Sequence, residues 1–153
     1  GEGLITPYAV CRLGSKKREL NTAGFNQQQM EALSSKLLVE NIYEDEANLF
    51  VKLMWGWNSG SHYITFNKRT QNLYNVGKEG FQNDIDGGVP FFPDLIRADG
   101  TKVMWMQAED FIEQIVSLDY NKQKEKFGEK FERVRTLASQ MKPDDNPILI
   151  LLQ

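Results

Sequence analysis

The densest set of chemically capable side chains is Asn83-Asp84-Ile85-Asp86-Gly87-Gly88, two carboxylates two positions apart on a glycine-bearing turn. Closely spaced carboxylates and carbonyls are what a hard cation such as calcium requires. The register of a calcium-binding helix-loop-helix fails here: with Asp84 as first ligand, Pro90 falls at the seventh position and Leu95 at the twelfth, where a bidentate glutamate belongs. The same residues serve a structural purpose equally well. Asn and Asp side chains accept hydrogen bonds from amides two or three positions on, and glycine supplies positive φ. The expectation is a built turn with oxygens on backbone amides and no metal. The alternative chemical use of Asp84 and Asp86 is acid/base work, as in a polysaccharide hydrolase or lyase.

His62 stands beside Ser59 and Ser61, a pairing that invites nucleophilic catalysis. Such catalysis needs an orienting carboxylate and an oxyanion hole, and no Gly-x-Ser-x-Gly elbow occurs in the chain. A strand-end histidine with a structural hydrogen bond is expected instead. Cys11 has no histidine beside it and is expected as a small buried side chain. With one Cys and one His in the whole sequence, an internal disulfide, a Cys-based zinc cage and most triads are excluded. Flat rings that stack on pyranose faces form a further set: Trp55, Trp57, Tyr63, Tyr74 and Trp105, with Phe91 and Phe92. Trp55 shares a strand face with Leu53 and Val51 and is expected in the core. Trp57, Phe91 and Phe92 lie at a strand end or in a loop, where packing and ligand contact are both open. The ligand-binding candidates are thus Trp57, Asn83, Asp84, Asp86, Phe91 and Phe92, with no catalytic residue, metal or cofactor assigned.

These side chains must be placed by strands and helices whose periodicity is legible. Tyr8–Leu13 alternates as a short strand, and 15–24 is a polar loop. Asn26–Leu38 is predicted helical, with Asn26 as cap, Phe25 as staple and Met30, Leu33 and Leu37 on one face. From Val39 the period becomes two. Leu49, Val51, Leu53, Trp55 and Trp57 mark the strongest strand and one deeply buried face. Returning strands at His62–Phe66 and Leu73–Val76 complete an antiparallel meander over 38–76. Asp99-Gly100 predicts a two-residue hairpin between Leu95–Ala98 and Thr101–Met106. Apolar residues at helical spacing follow over Ala108–Leu118, and again along one mixed-charge helix over Lys122–Met141, whose alternating signs indicate a solvated face. Lys142 to Pro147 stops that helix, and Ile148–Leu152 closes as an apolar strand. The class is α+β, antiparallel hairpins with a few flanking helices in one domain over 1–153, with 1–6 as linker.

This order resembles the C-terminal part of the six-bladed β-propeller lipoproteins of Bacteroidetes-type gut commensals. The resemblance rests on the aromatic meander, Asn83-Asp84-Ile85-Asp86-Gly87-Gly88 before Phe91-Phe92-Pro93, and Asp145-Asn146-Pro147-Ile148-Leu149 near the end. It implies sheet architecture and an exported, periplasmic or cell-surface lipoprotein address, and little chemistry, since these proteins are largely of undetermined function. Six blades of roughly 40 to 45 residues each exceed this chain, so a closed propeller is not expected, and the resemblance implies a piece of a larger one or a short relative that pairs with itself. Gly1-Glu2-Gly3, with no initiator Met and no signal-peptide core, agrees with a trimmed or mature chain.

Of 153 residues, 41% are hydrophobic and 25% charged, as in a packed globular protein. Eighteen Lys and Arg against 21 Asp and Glu give net charge −3, without the basic footprint of a nucleic-acid partner. No apolar run approaches the roughly 20 residues of a membrane helix. The expected function is a non-catalytic binding module engaging a glycan, a peptide or a partner protein. Unpaired sheet edges, Ile148–Leu152 among them, add an expectation of homo-oligomers.

Overall fold

The computed structural model describes residues 36–56 and 60–153. The predicted strand at Tyr8–Leu13, Cys11 and most of the predicted helix at Asn26–Leu38 lie outside them. Four strands, β1 (Leu37–Glu44), β2 (Asn48–Trp55), β3 (Ser61–Asn67) and β4 (Asn72–Gly77), form an antiparallel meander in sequence order. A second sheet has the order β5 (Leu95–Ile96), β6 (Lys102–Met106) and β7 (Ile148–Leu152), with α1 (Ala108–Ser117), α2 (Tyr120–Phe127) and α3 (Glu129–Gln140) inserted between β6 and β7. The class is α+β with antiparallel sheets, and among the described residues neither sheet closes into a barrel. No helix among the described residues is long and apolar enough to cross a membrane.

Several boundaries differ from expectation for identifiable reasons. Leu37 and Leu38, predicted as the last positions of a helix, open β1 and pair with Trp55 and Met54. Cross-strand packing overrides local helical spacing there. Val51 and Leu53 are buried as expected, but Trp55 at the strand end is 37% exposed, and Phe50 on the opposite face is buried. The nearly unbroken apolar run Leu49-Phe50-Val51 therefore belongs to a strand covered on both sides. The Asp99-Gly100 hairpin is wider than the predicted two-residue loop. The Arg97 amide bonds the Thr101 carbonyl, the Gly100 amide bonds the Arg97 carbonyl, and Gly100 sits at φ +81°, which is a three-residue loop ending in a left-handed glycine. The single helix predicted over Lys122–Met141 is two helices. Gly128, at φ +57°, ends α2 and caps α3, and glycine has the poorest helix propensity of any residue but proline. Tyr120 and Lys124 of α2 rejoin α3 through Glu132, with the Tyr120 hydroxyl donating to Glu132 Oε1 at 2.5 Å and Lys124 Nζ 2.9 Å from the same oxygen.

The helices cover one face of the second sheet, where Met104, Phe111, Ile115 and Ala138 bury together with Ile148, Ile150 and Leu152 against them. Burial of this apolar set supplies the main driving force for that half. The two sheets are tied at the β1–β2 turn. Asp45 Oδ1 accepts the Ala47 and Asn48 amides at 2.9 and 2.7 Å, and Asp45 Oδ2 lies 2.8 Å from Lys102 Nζ on β6. Burial pushes the Asp45 carboxyl up, but the hydrogen bonds from Lys102 and the two amides outweigh it and hold the group below the usual carboxylate range. A depressed folded pKa contributes stability that is complete above the unfolded value of about 3.9 and is lost as pH falls through the folded value. The native chain is thus expected to lose thermal stability below about pH 4 more steeply than Asp45→Asn. Parallel melting profiles for the two proteins across that range would refute the link.

Candidate functional site

The 83–93 loop is assembled from its own side chains. Asn83 Oδ1 accepts the Ile85 and Asp86 amides at 3.1 and 3.2 Å, Asn83 Nδ2 donates to the Val89 carbonyl at 3.3 Å, and Asp86 Oδ1 accepts the Gly88 amide at 2.9 Å. Asn83 and Asp86 are therefore committed to backbone groups, the use that turn chemistry predicts. Gly87 takes φ +73° and Gly88 does not take a left-handed conformation. A Cβ on Gly87 would stand 2.3 Å from a Phe127 ring carbon, so the turn docks on α2 at a place where only glycine fits. Asp84 is exposed. Among the described residues no group of three or more His, Cys, Asp or Glu is placed to hold a metal ion.

Downstream of the turn, Phe91 and Phe92 are both buried. Phe91 joins the helix-covered core, and its backbone exchanges two 2.8 Å hydrogen bonds with Phe81. The Phe92 ring stacks on Tyr63 of β3 with centroids 4.2 Å apart, lies parallel to Phe81 at 6.0 Å, and meets Phe50 of β2 edge-on at 5.9 Å. Its amide points at the Met104 sulfur, 3.4 Å away on β6. One residue thus joins the meander and the second sheet, its ring on Tyr63 and Phe50 and its backbone amide on Met104. Of the six predicted ligand-binding residues, the structure places Asn83 and Asp86 in backbone caps, Phe91 and Phe92 in the interior and Asp84 at the surface, while Trp57 lies outside the described residues.

Where the meander meets this loop, an open cleft of about 460 Å³ is lined by Asn48, Phe50, Thr65, Tyr74, Phe81 and Gln82, and Gly80 contributes to its wall. Tyr74 is 49% exposed and Phe81 is 36% exposed, so two rings face solvent over a floor of buried Phe50 and Thr65. The floor is fixed: the Thr65 hydroxyl donates to the Leu49 carbonyl at 3.1 Å, and Phe81 leans on Phe50 with centroids 6.3 Å apart. No acidic or basic side chain lines the cleft. Aromatic faces combined with amide side chains suit a neutral, polyhydroxylated ligand, because rings cover apolar C–H faces while amides donate to and accept from hydroxyls. Tyr74 belongs to the aromatic set legible in the sequence. Phe81 and Gln82 do not, and the available local signal is Gly80, which marks a backbone that must turn sharply just before an aromatic residue.

A smaller hollow of about 240 Å³ lies at the other end of the meander, between Trp55, Gly60, Ser61, His62 and Lys78. There His62 Nε2 is 2.8 Å from Asn75 Oδ1, which also accepts the Gly77 amide at 3.1 Å. That is the structural histidine that the sequence predicts, pinning β3 to β4 rather than serving Ser61. Comparison of the chain with protein-family models, with curated proteins and with solved structures finds no match in any of the three.

Proposed function

We propose that this chain is a non-catalytic binding module that holds a neutral glycan in the Tyr74–Phe81 cleft, within an exported protein of the propeller-lipoprotein kind. The observation that carries the reading is the pair of half-exposed rings above an uncharged, amide-bearing cleft. Exposing large apolar rings to water is unfavourable, and a concave patch that does so is the default place to seek a ligand. The exported propeller context is supported by the sequence resemblance and by the meander, whose four antiparallel strands in sequence order have the strand count of one blade.

Glycan-array screening followed by calorimetry tests the binding. Tyr74→Ala, at an exposed position, is expected to weaken affinity for any sugar ligand about tenfold while leaving the melting temperature unchanged. Binding that is indifferent to both Tyr74→Ala and Gln82→Ala would remove the cleft from the reading. Hydrolysis of a polysaccharide that disappears in Asp84→Asn would replace the binding module by an enzyme. Fractionation of the producing cell addresses the compartment, and protein confined to the cytoplasmic fraction would refute export.

A further inference from the structure

The strand β7, Ile148-Leu149-Ile150-Leu151-Leu152, is paired along one edge by β6, and among the described residues no strand occupies its other edge. It carries five aliphatic side chains with no charge, proline or bulge, the devices by which edge strands ordinarily avoid other chains. Its two faces differ. Ile148, Ile150 and Leu152 pack on the helix-covered core, whereas Leu149 and Leu151 stand on the opposite face. There they join Trp105 and Leu95, and all four side chains are more than half exposed. Together they make an apolar patch on the order of 500 Å², the size that marks an interaction site on a soluble monomer.

We propose that β7 is a dimerisation edge, pairing antiparallel with the β7 of a second copy about a two-fold axis at Ile150 to join two three-stranded sheets into one of six strands. Residues opposite each other in an antiparallel pair share a face of the sheet. Centring on Ile150 sets Leu149 opposite the partner's Leu151 and Ile148 opposite the partner's Leu152. Solvent-facing leucines then meet each other, and core-facing residues extend one continuous core. A slip of one residue sets core-facing side chains against solvent-facing ones. The strand is therefore self-complementary over its whole length, as an isologous contact requires. Strand addition of this length buries less than the roughly 1,200 Å² of a standard interface, so the dimer is expected to be weak, with a midpoint in the tens of micromolar. This proposal stands apart from the glycan reading, since the cleft and β7 share no residue.

Sedimentation across a concentration series tests it, with the average mass expected to rise from one copy toward two. Leu149→Lys with Leu151→Lys sets like charges opposite each other across the axis and is expected to shift the midpoint at least tenfold without changing the melting temperature. Register is read by disulfide capture in Cys11→Ser proteins. Leu149→Cys mixed with Leu151→Cys is expected to cross-link, whereas either variant alone is not, because identical positions lie on the diagonal about 7 to 8 Å apart, beyond disulfide reach. A mass fixed at one copy throughout, a dimer that survives the double Lys substitution, or cross-linking equal in all three mixtures would each overturn the proposal. Should the Lys variant fail to fold, the capture experiment alone decides.

Discussion

Phe92→Ala is expected to lower the free energy of unfolding by about 3 to 5 kcal/mol, a large share of what a domain of this size possesses. The ring is 4% exposed and is enclosed by Tyr63, Phe81 and Phe50, so truncation empties a space that three aromatic neighbours line. Those neighbours sit on two strands and a loop whose positions are fixed by their own ladders and by the Phe81–Phe91 bridge, so collapse into the void is restricted. Aromatic pairing adds about 0.5 to 1.5 kcal/mol per contact beyond the lost burial. Equilibrium denaturation of the native chain and the variant measures the change. The same experiment separates the two roles that the sequence leaves open for Phe92, because a ligand-contacting ring would lose affinity and little stability. A midpoint within the range of a surface substitution would place the Phe92 ring outside the core that it forms with Tyr63, Phe50 and Phe81. Trp55→Ala provides the contrast, since a ring that is 37% exposed at a strand end is expected to cost markedly less.

The features that the sequence discloses are those decided within a few residues. The alternation of Leu49, Val51 and Leu53 encodes β2, the Asn67 to Asn72 turn is closed by Asn67 Oδ1 on the Thr70 amide, and the 83–88 turn is built from the side chains that advertise it. What escapes is decided by partners far along the chain. Phe50 takes a second buried face on β2 because Phe92 and Phe81 arrive from a distant loop, a contact to which period-two counting is blind. Phe91 and Phe92 have the same local surroundings as ligand-presenting loop aromatics, and their burial follows from distant partners, the helix-covered core for Phe91 and the rings of Tyr63, Phe50 and Phe81 for Phe92. Trp55 errs in the other direction. It continues an apolar alternation, yet it stands one residue beyond the β2–β3 ladder, which ends at Met54 and Ser61, and it is left 37% exposed. The division of the last helix at Gly128 was available to propensity, but Phe127 and Phe131 keep helical spacing across the break and conceal it.

Gly80→Ala is expected to cost about 2 to 4 kcal/mol, and the structure supplies its own control for the cause. Gly77 and Gly80 have nearly the same positive φ, +93° and +94°. A side chain at either pays the strain of a left-handed L-residue, about 1 to 2 kcal/mol. Their surroundings differ: a Cβ on Gly77 meets nothing within 4 Å, while one on Gly80 would stand 2.8 Å from the Phe91 carbonyl oxygen. That oxygen accepts the Phe81 amide, and the Phe91 amide returns a bond to the Phe81 carbonyl, so the obstacle is paired backbone that cannot rotate aside. Relief requires parting Phe81 from Phe91, which leaves two buried or half-buried hydrogen bonds unmade and withdraws the Phe81 ring from the cleft. Gly77→Ala should therefore show the conformational strain alone, and the excess loss in Gly80→Ala should measure the clash. If the cleft binds as proposed, Gly80→Ala also weakens ligand affinity and Gly77→Ala does not. Equal stability losses in the two variants would mean that strain alone accounts for both, and that the close approach of Gly80 to Phe91 contributes nothing to holding the cleft in shape.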